Sequence, residues 1–231
     1  GDIRIFPKYD DSEIIKVGNP ALNPQFTNSF ELGYRNDWSK GYLYSAVYHK
    51  ISDGYITRIA TTVDDTNLIY NVSQNAGLSY NTGLELVWTQ DISEHVSFDL
   101  NLNGYRNQID AFTAVSLYPV VHTFVSEKQE IYSGNVKLNS NLKWGNGITA
   151  QLTAIYLAPD IIPQGTIDSR FSLNAGVKKS LQKGKGELYF NATDLLNTMV
   201  IRKKITGNNF IYSSRDYYET QTLRVGYNYK F

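Results

Sequence analysis

Cysteine is absent from the 231 residues of this chain, so the sequence offers neither a disulfide framework nor a thiolate for metal binding or nucleophilic catalysis. An excess of charge is also missing, because 22 Lys and Arg balance 22 Asp and Glu. This balance argues against the general basic surface of a nucleic-acid-binding protein. No apolar run approaches the ~20 residues that a membrane helix needs, and no signal peptide opens the chain.

Motifs for catalysis and metal binding are lacking as well. His49, His95 and His122 are far apart and have no second ligand at metal spacing. The acidic pairs at 10–11 and 64–65 are not part of an EF-hand series, and nothing resembles the Gly-x-Ser-x-Gly nucleophile motif. We therefore expect no enzyme, no metal site and no cofactor.

Aromatic residues are plentiful instead, with 18 Tyr, 10 Phe and 3 Trp. Tyrosine suits β-strands and water–lipid boundaries, where its ring is buried and its hydroxyl stays hydrated. From Leu223 to Phe231 the chain alternates strictly between apolar or aromatic side chains and polar ones. This period of two predicts a strand with one apolar and one polar face.

The same alternation recurs throughout residues 26–231 and predicts about nine strands of roughly 10 to 16 residues. They are centred on residues 26–35, 42–48, 78–89, 96–103, 135–144, 148–156, 171–177, 188–192 and 223–231. In the second of these, Tyr42, Tyr44 and Tyr48 are assigned to the apolar face. Residues 1–25 carry Pro7, Pro20 and Pro24 and are predicted to be irregular.

Strand length and polarity favour a membrane protein. Soluble strands typically have ~5–6 residues, whereas a tilted membrane strand needs ~9–11. The polar faces suit a solvated lumen, and a closed antiparallel barrel satisfies its own backbone hydrogen bonds in lipid. The predicted fold is all-β: an antiparallel up-and-down meander of 9–10 long strands, part of a transmembrane β-barrel. Residues 1–25 form an extracellular-side segment in this interpretation, and residues 26–231 form a partial outer-membrane barrel domain.

Connection lengths indicate the orientation. Residues 36–40, 90–95, 145–147 and 181–186 are short turns on the side where the chain ends. Residues 60–74, 109–129, 158–167 and 199–218 are long loops on the other side. Outer-membrane barrels have short periplasmic turns and long external loops. We therefore expect an outer-membrane location with a periplasmic carboxy terminus.

Four motifs resemble TonB-dependent outer-membrane receptors, in the Asn- and Tyr-rich style of Bacteroides-type bacteria. They are Gly-Asn-Pro-Ala-Leu-Asn-Pro at 18–24 before Glu-Leu-Gly-Tyr at 31–34, Asn-Thr-Gly-Leu-Glu-Leu at 81–86, Phe-Asn-Ala-Thr-Asp-Leu-Leu-Asn at 190–197, and the chain ending. That ending is similar to the signal by which the barrel assembly machinery recognises its clients, and it contains Arg224, Gly226, Tyr229 and Phe231.

The resemblance implies active uptake of a scarce or large nutrient such as an iron chelate, cobalamin or an oligosaccharide. Family members have a plug domain, an energy-coupling box and a barrel of about 22 strands. This chain resembles the carboxy-terminal barrel portion alone, a mature or truncated fragment. The implied partners are outer-membrane lipid, the missing plug and first half of the barrel, the assembly machinery, and a TonB-type energy-transducing protein reached through the missing part.

Two other interpretations remain open. One is a passive outer-membrane barrel, a porin or an adhesin, without a plug. The other is a soluble all-β ligand-binding module whose long strands form a sandwich. In the fragment interpretation two sheet edges lack partners, and unpaired edges favour self-association or closure into a smaller barrel.

Aromatic and cationic residues of the long loops form the predicted ligand-binding set. Aromatic rings stack on sugars and chelates, and cations attract anionic ligands. The set comprises Tyr118, Phe124, Arg202, Lys203, Lys204, Phe210, Tyr212, Arg215, Tyr217 and Tyr218. Packing of the loops on themselves is the alternative explanation. The strand tyrosines are predicted to lie in an interfacial girdle or on the barrel exterior: Tyr34, Tyr42, Tyr44, Tyr48, Tyr80, Tyr156, Tyr227 and Tyr229.

Overall fold

A computed structural model describes residues 3, 7–9, 14–62, 68–117, 121–207 and 210–231. Its strands, in chain order, are β1 (Lys8–Tyr9), β2 (Ile14–Val17), β3 (Phe26–Trp38), β4 (Gly41–Asp53), β5 (Ile56–Thr62), β6 (Ile69–Asn75), β7 (Ser79–Asp91), β8 (Val96–Ile109), β9 (Phe112–Ser116), β10 (His122–Ser126), β11 (Gln129–Trp144), β12 (Ile148–Leu157), β13 (Asp160–Ile162), β14 (Gly165–Ile167), β15 (Arg170–Leu181), β16 (Gly186–Thr193), β17 (Ile201–Thr206), β18 (Ile211–Asp216) and β19 (Thr222–Tyr229).

Helix is confined, in these described ranges, to one 3-10 turn at Gln182–Gly184. No helix there has the length and apolar character needed to cross a membrane.

Nine strands form one antiparallel sheet in the order β19-β16-β15-β12-β11-β8-β7-β4-β3. Along this sheet each strand pairs with the one that precedes it and the one that follows it, so the chain meanders up and down. β11 is the longest strand, with 16 residues, and β16 and β19 have 8 each. The predicted antiparallel meander of long strands is confirmed.

The strand register separates an apolar face from a polar one. One row of paired residues crosses five neighbouring strands at Leu86, Leu102, Val136, Tyr156 and Phe171. A row on the opposite face crosses the same strands at Thr89, Asp99, Asn139, Thr153 and Asn174. Threonine hydroxyl groups donate hydrogen bonds along that row. Thr89 Oγ1 donates to Asp99 Oδ1 at 2.9 Å, and Thr153 Oγ1 donates to Asn139 Oδ1 at 2.9 Å. These two hydrogen bonds join neighbouring strands through side chains of the polar face.

The apolar face of β4 was predicted wrongly. Val47 is paired with Leu32 on one side and Leu84 on the other and is 54% exposed, so it belongs to the outward apolar row. Tyr44 and Tyr48 lie on the polar face, and so does Tyr42. The residues between them, such as Leu43 and Val47, are also apolar, so the alternation of β4 alone does not identify which of its faces joins the apolar surface.

The polar-face tyrosines are held by hydrogen bonds. Tyr44 donates its hydroxyl to Glu31 Oε1 at 2.8 Å, and Tyr48 donates to Asn103 Oδ1 at 3.0 Å. They are therefore not part of an exterior girdle. The other strand tyrosines of that prediction do lie on the apolar face: Tyr34, Tyr80, Tyr156, Tyr227 and Tyr229.

At one end of the sheet the strands are joined by short turns. Residues 39–40, 92–95, 145–147 and 182–185 make these four connections. Asn146 and Gly147 have φ values of 65° and 71°, the left-handed conformation that Asn-Gly hairpins require. The predicted short turns are confirmed.

At the opposite end the four connections predicted as long loops are β-hairpins. They are β5–β6, β9–β10, β13–β14 and β17–β18. Exposure does alternate along β17 and β18, but polar and apolar residues are not sorted between the two faces: Lys203 lies on the same, less exposed face as Ile201 and Ile205. Strand prediction from period two therefore fails there.

Residues 14–17, within the segment predicted to be irregular, also form a strand. β2 pairs in parallel with β6, and β1 pairs with β2. Ile15, Val17 and Val72 form a buried cluster against which Leu68 and Tyr70 pack. The prolines of this segment lie outside β1 and β2, where they remove no ladder hydrogen bond.

Candidate functional site

The polar face of the large sheet forms the floor of the candidate site. Toward the short turns it contains a cleft of about 680 Å³ whose lining includes Lys143, Lys178, Glu187, Tyr189 and Asn191. Lys178 Nζ lies 2.8 Å from Glu187 Oε2, so the charges in the cleft are partly compensated. The cleft is lined by polar side chains and by charges of both signs, which suits the lumen side of a barrel wall.

The hairpin β13–β14 bends over this polar face. Asp160 at its start accepts hydrogen bonds from the Tyr105 hydroxyl at 2.8 Å and from Asn107 Nδ2 at 2.9 Å. Beside it, Ser133 Oγ donates to the carbonyl oxygen of Pro159 at 2.5 Å. Tyr105, Asn107 and Ser133 belong to β8 and β11, so the hairpin is anchored on strands that are not its immediate chain neighbours.

The tip of β13–β14 is hydrogen-bonded to β5, β10, β11 and β17. The buried Gln164 side chain pairs with the Ala60 backbone on β5, accepting from its N–H at 2.6 Å and donating to its carbonyl oxygen at 2.9 Å, across 104 residues of sequence. Gln129 Nε2 donates to the Pro163 carbonyl at 2.6 Å, and the Thr206 N–H donates to the Gln164 carbonyl at 2.7 Å. One turn is thus hydrogen-bonded to the β5–β6 hairpin, to the first residue of β11 and to the β17–β18 hairpin.

We expect Gln164→Leu to destabilise the contact between the β13–β14 and β5–β6 hairpins. The substitution leaves the buried N–H and carbonyl of Ala60 without partners, at a cost of about 2 kcal/mol. Hydrogen exchange should then become faster in residues 56–62 and 160–167 and stay unchanged in the large sheet. Gln151→Leu is the matched control because Gln151 is exposed on β12. Equal protection of the hairpins in both variants would contradict the assigned role of Gln164.

Asp194 organises the segment that follows β16. Its side chain is 1% exposed. It accepts hydrogen bonds from the N–H groups of Thr198 at 3.0 Å and Met199 at 3.2 Å and from the Thr220 hydroxyl at 2.6 Å. Its own N–H donates to Asn174 Oδ1 at 2.8 Å. The carboxylate therefore links the starts of the β17–β18 connection and of β19.

Together, hydrogen bonds affect the pKa of the Asp194 carboxyl more than burial does. Burial alone raises the pKa of this carboxyl because it removes water from the charged form. Donation by Thr220, Thr198 and Met199 stabilises the carboxylate, and the net effect is a pKa below the ordinary 3.8. Asp194 is therefore ionised at neutral pH although it is buried.

The β17–β18 hairpin separates the cations of the predicted ligand-binding set. Arg202 and Lys204 lie on its exposed face with Arg215, which is directly opposite Arg202. Lys203 lies on the other face with Tyr212, and its Nζ is 3.7 Å from Asp216 Oδ2. Three of the four predicted cations are thus brought together.

The predicted aromatic residues are dispersed. Phe124 is 6% exposed and packs against Phe112 with 5.8 Å between ring centroids, so it has little surface for a ligand. Phe210 lies at the β17–β18 tip, where the Gly207 N–H donates to its carbonyl. Tyr217 and Tyr218 are exposed after β18. Tyr118 lies outside the described residues.

The carboxy-terminal motif forms most of β19, which is an edge strand of the large sheet. Arg224 is paired with Asn191 on the polar face, and Gly226 is paired with Tyr189, whose ring covers it. The rings of Tyr229 and Phe231 meet edge to face with centroids 5.3 Å apart. The predicted role of these residues in barrel assembly stays a prediction.

Three residues of the site were not singled out from the sequence: Asp160, Gln164 and Asp194. Asp194 lies within the motif at 190–197, so that motif could have identified it as a site residue. Gln164 stands between Pro163 and Gly165, a context that indicates a turn and gives no sign that the side chain reaches a strand 104 residues away.

Comparison with known proteins supports the architecture. A family model described as the outer membrane protein beta-barrel family matches residues 1–229. The fold is similar to that of the ferric yersiniabactin uptake receptor FyuA from Yersinia pestis, with a TM-score of 0.58 and 15% identity over 90% of this chain and 30% of that one.

The fold is also similar to that of the FrpB iron transporter (F3-3 variant) from Neisseria meningitidis, with a TM-score of 0.53 and 10% identity over 91% of this chain and 32% of that one. The chain therefore spans about a third of the length of these two structures. No curated protein matches its sequence.

Proposed function

The chain belongs to the outer membrane protein beta-barrel family, and from this membership we propose that it forms the carboxy-terminal barrel wall and outer hairpins of a TonB-dependent outer-membrane receptor. The receptor would take up a scarce or large nutrient: an iron chelate, cobalamin or an oligosaccharide. Residues 26–231 would be the barrel portion, and residues 1–25 would lie on the extracellular side.

The observation that carries this proposal is the joining of the hairpins through Gln164. The hairpin tip bends over the polar face and is hydrogen-bonded to β5, to the first residue of β11 and to β17. Such an ordered outer surface favours selective capture of a ligand. The motifs shared with TonB-dependent receptors favour energy-driven release.

The open edges of the large sheet support the assignment as one part of a barrel. β3 is exposed along all 13 of its residues, and β19 is the other edge. In lipid, unpaired backbone groups are strongly unfavourable. We therefore propose that the remaining strands of the barrel pair with both edges. The short turns would face the periplasm together with the carboxy terminus.

The names of the two similar structures suggest which ligand to test first. One is an uptake receptor for ferric yersiniabactin and the other an iron transporter. A ferric chelate is therefore the first ligand class to examine, and cobalamin and oligosaccharides follow.

Uptake by cells that carry the native gene product tests the proposal. We expect disruption of the gene to abolish saturable uptake of one labelled nutrient from a panel of ferric chelates, cobalamin and oligosaccharides. Uptake should also stop when a protonophore removes the energy of the inner membrane or when the TonB-type gene is deleted. Uptake that rises linearly with concentration and needs no energy would instead indicate a passive barrel.

A further inference from the structure

The exposed face of the β17–β18 hairpin carries three cations in close proximity. Arg202 and Arg215 are directly opposite each other in the ladder, where side chains start about 5 Å apart. Lys204 follows Arg202 on the same face, roughly 7 Å further along the strand. All three side chains are exposed.

Among the described residues, no carboxylate forms an ion pair with any of these three cations. The ion pair of this hairpin joins Lys203 to Asp216 on the opposite face. The Asp168 N–H donates to the Arg202 carbonyl at 3.0 Å, which places Asp168 beside Arg202, but no ion pair links its carboxylate to any of the three cations. Like charges directly opposite in a ladder are destabilising, so this arrangement has a cost that an anion would remove.

Hydroxyl groups complete the arrangement. Lys204 lies between Thr166 of β14 and Ser213 of β18 in one row of paired residues. Both neighbours are exposed. Each hydroxyl can donate a hydrogen bond, and arginine side chains present paired N–H donors that match oxyanion geometry. The face thus offers cationic and neutral donors together, without an apolar surface between them.

We propose that this face is a binding site for a compact oxyanion, above all a phosphate group, held by Arg202, Arg215 and Lys204 with help from Thr166 and Ser213. The inference rests on the proposed function for its location at the outer surface of the cell. Two sources of phosphate reach that location: the headgroup of an outer-leaflet lipid and a soluble phosphorylated ligand.

Binding to the native gene product in zwitterionic detergent tests the site in two arms. Native mass spectrometry counts molecules of lipid A bound during a titration, and calorimetry measures binding of inorganic phosphate. The double variant Arg202→Gln/Arg215→Gln removes both opposed charges. We expect its affinity to fall at least about tenfold in the arm that represents the true source, because two charge-assisted contacts are lost.

Two further variants control the result. Lys185→Gln removes an exposed cation from the short turn at the other end of the large sheet and should bind as the wild type does. Arg202→Lys/Arg215→Lys keeps the charges and should retain part of the affinity, which shows that the loss does not come from misfolding. Retarded migration of unheated protein in gels verifies that each variant is assembled.

The two arms distinguish the two possible sources of the phosphate group. Loss confined to lipid A identifies a headgroup site, and loss confined to inorganic phosphate identifies a site for a soluble ligand. Loss in both arms supports a site that accepts phosphate from either source. The proposal is overturned if the wild type binds neither probe, or if the double variant binds every probe that the wild type binds with the same affinity. Both arms need no nutrient and no energised membrane, so failure here is distinguishable from failure of nutrient uptake.

Discussion

Asp194→Ala is expected to destabilise the assembled protein by about 3 kcal/mol, because it leaves three donors without their shared acceptor in a buried site. Those donors are the N–H groups of Thr198 and Met199 and the hydroxyl of Thr220. Unfolding by urea in detergent micelles, followed by tryptophan fluorescence, measures the change. Asp168→Ala is the control, since Asp168 is exposed. Similar losses in the two variants would show that the Asp194 network contributes little.

The same network predicts a pH dependence. The pKa of Asp194 is lowered in the folded protein, so its contribution to stability is present above the pKa of an unfolded aspartate and is lost as pH falls through the lower folded value. The wild type should therefore lose stability below about pH 4. Asp194→Ala should lose less over the same range. Parallel pH profiles for the two proteins would contradict this assignment.

Gly83→Ala is expected to cost about 2 kcal/mol through overpacking. Tyr48 lies across Gly83 on the polar face, and a Cβ atom at position 83 would come within 2.5 Å of the Tyr48 hydroxyl oxygen and 2.8 Å of the Gly104 carbonyl oxygen. The ring must therefore move, which breaks its hydrogen bond to Asn103. The urea midpoint and the temperature at which the protein loses its compact gel mobility should both fall.

Gly104→Ala provides a matched control for this prediction. Gly104 lies on the neighbouring strand β8, and a Cβ atom there would have no atom within 4 Å. Its substitution should leave stability nearly unchanged. In the background of Tyr48→Ala, Gly83→Ala should also cost less than it does alone, because the ring is gone. An undiminished cost in the double variant would show that contact with the backbone, and not with the tyrosine, dominates.

The large sheet was predictable because each of its strands has one face in an apolar surface and one in a polar one. The run from Leu223 shows this most clearly, and its register with β16 places Leu223 opposite Ala192 and Val225 opposite Phe190. The Asn146-Gly147 turn was predictable from local chemistry. Neither inference needs knowledge of distant residues.

The faces of β4 were not predictable because the answer lies in the neighbouring strands. Both Tyr48 and Val47 suit an apolar surface. Only pairing with Leu32 and Leu84 assigns Val47 to it, while Asn103 on β8 supplies the partner for the Tyr48 hydroxyl. A single sequence carries no record of which polar group will lie within reach of a tyrosine.

The candidate site was predictable only in part, for the same reason. Cations and aromatic residues in the long connections could be identified, but their distribution over two faces depends on hairpins that the alternation did not reveal. Arg202 and Lys203 are neighbours in sequence and lie on opposite faces of β17. Gln164 binds Ala60 through a contact that spans 104 residues, which no local pattern can indicate.

The meander order of the large sheet also bears on how the protein folds. Strands that are neighbours in this sheet also follow one another along the chain among its nine members. The sheet can therefore form by adding one strand at a time, and each addition closes a short loop at a small cost in chain entropy. Several contacts among the described residues depart from this order, for example the parallel pairing of β2 with β6 beyond three intervening strands and the contact of Gln164 with Ala60. The first contact needs β6 beside β2, and the second needs both β5 and the β13–β14 hairpin in place. The end of the sheet opposite the short turns should therefore be the last part to acquire its native structure during folding.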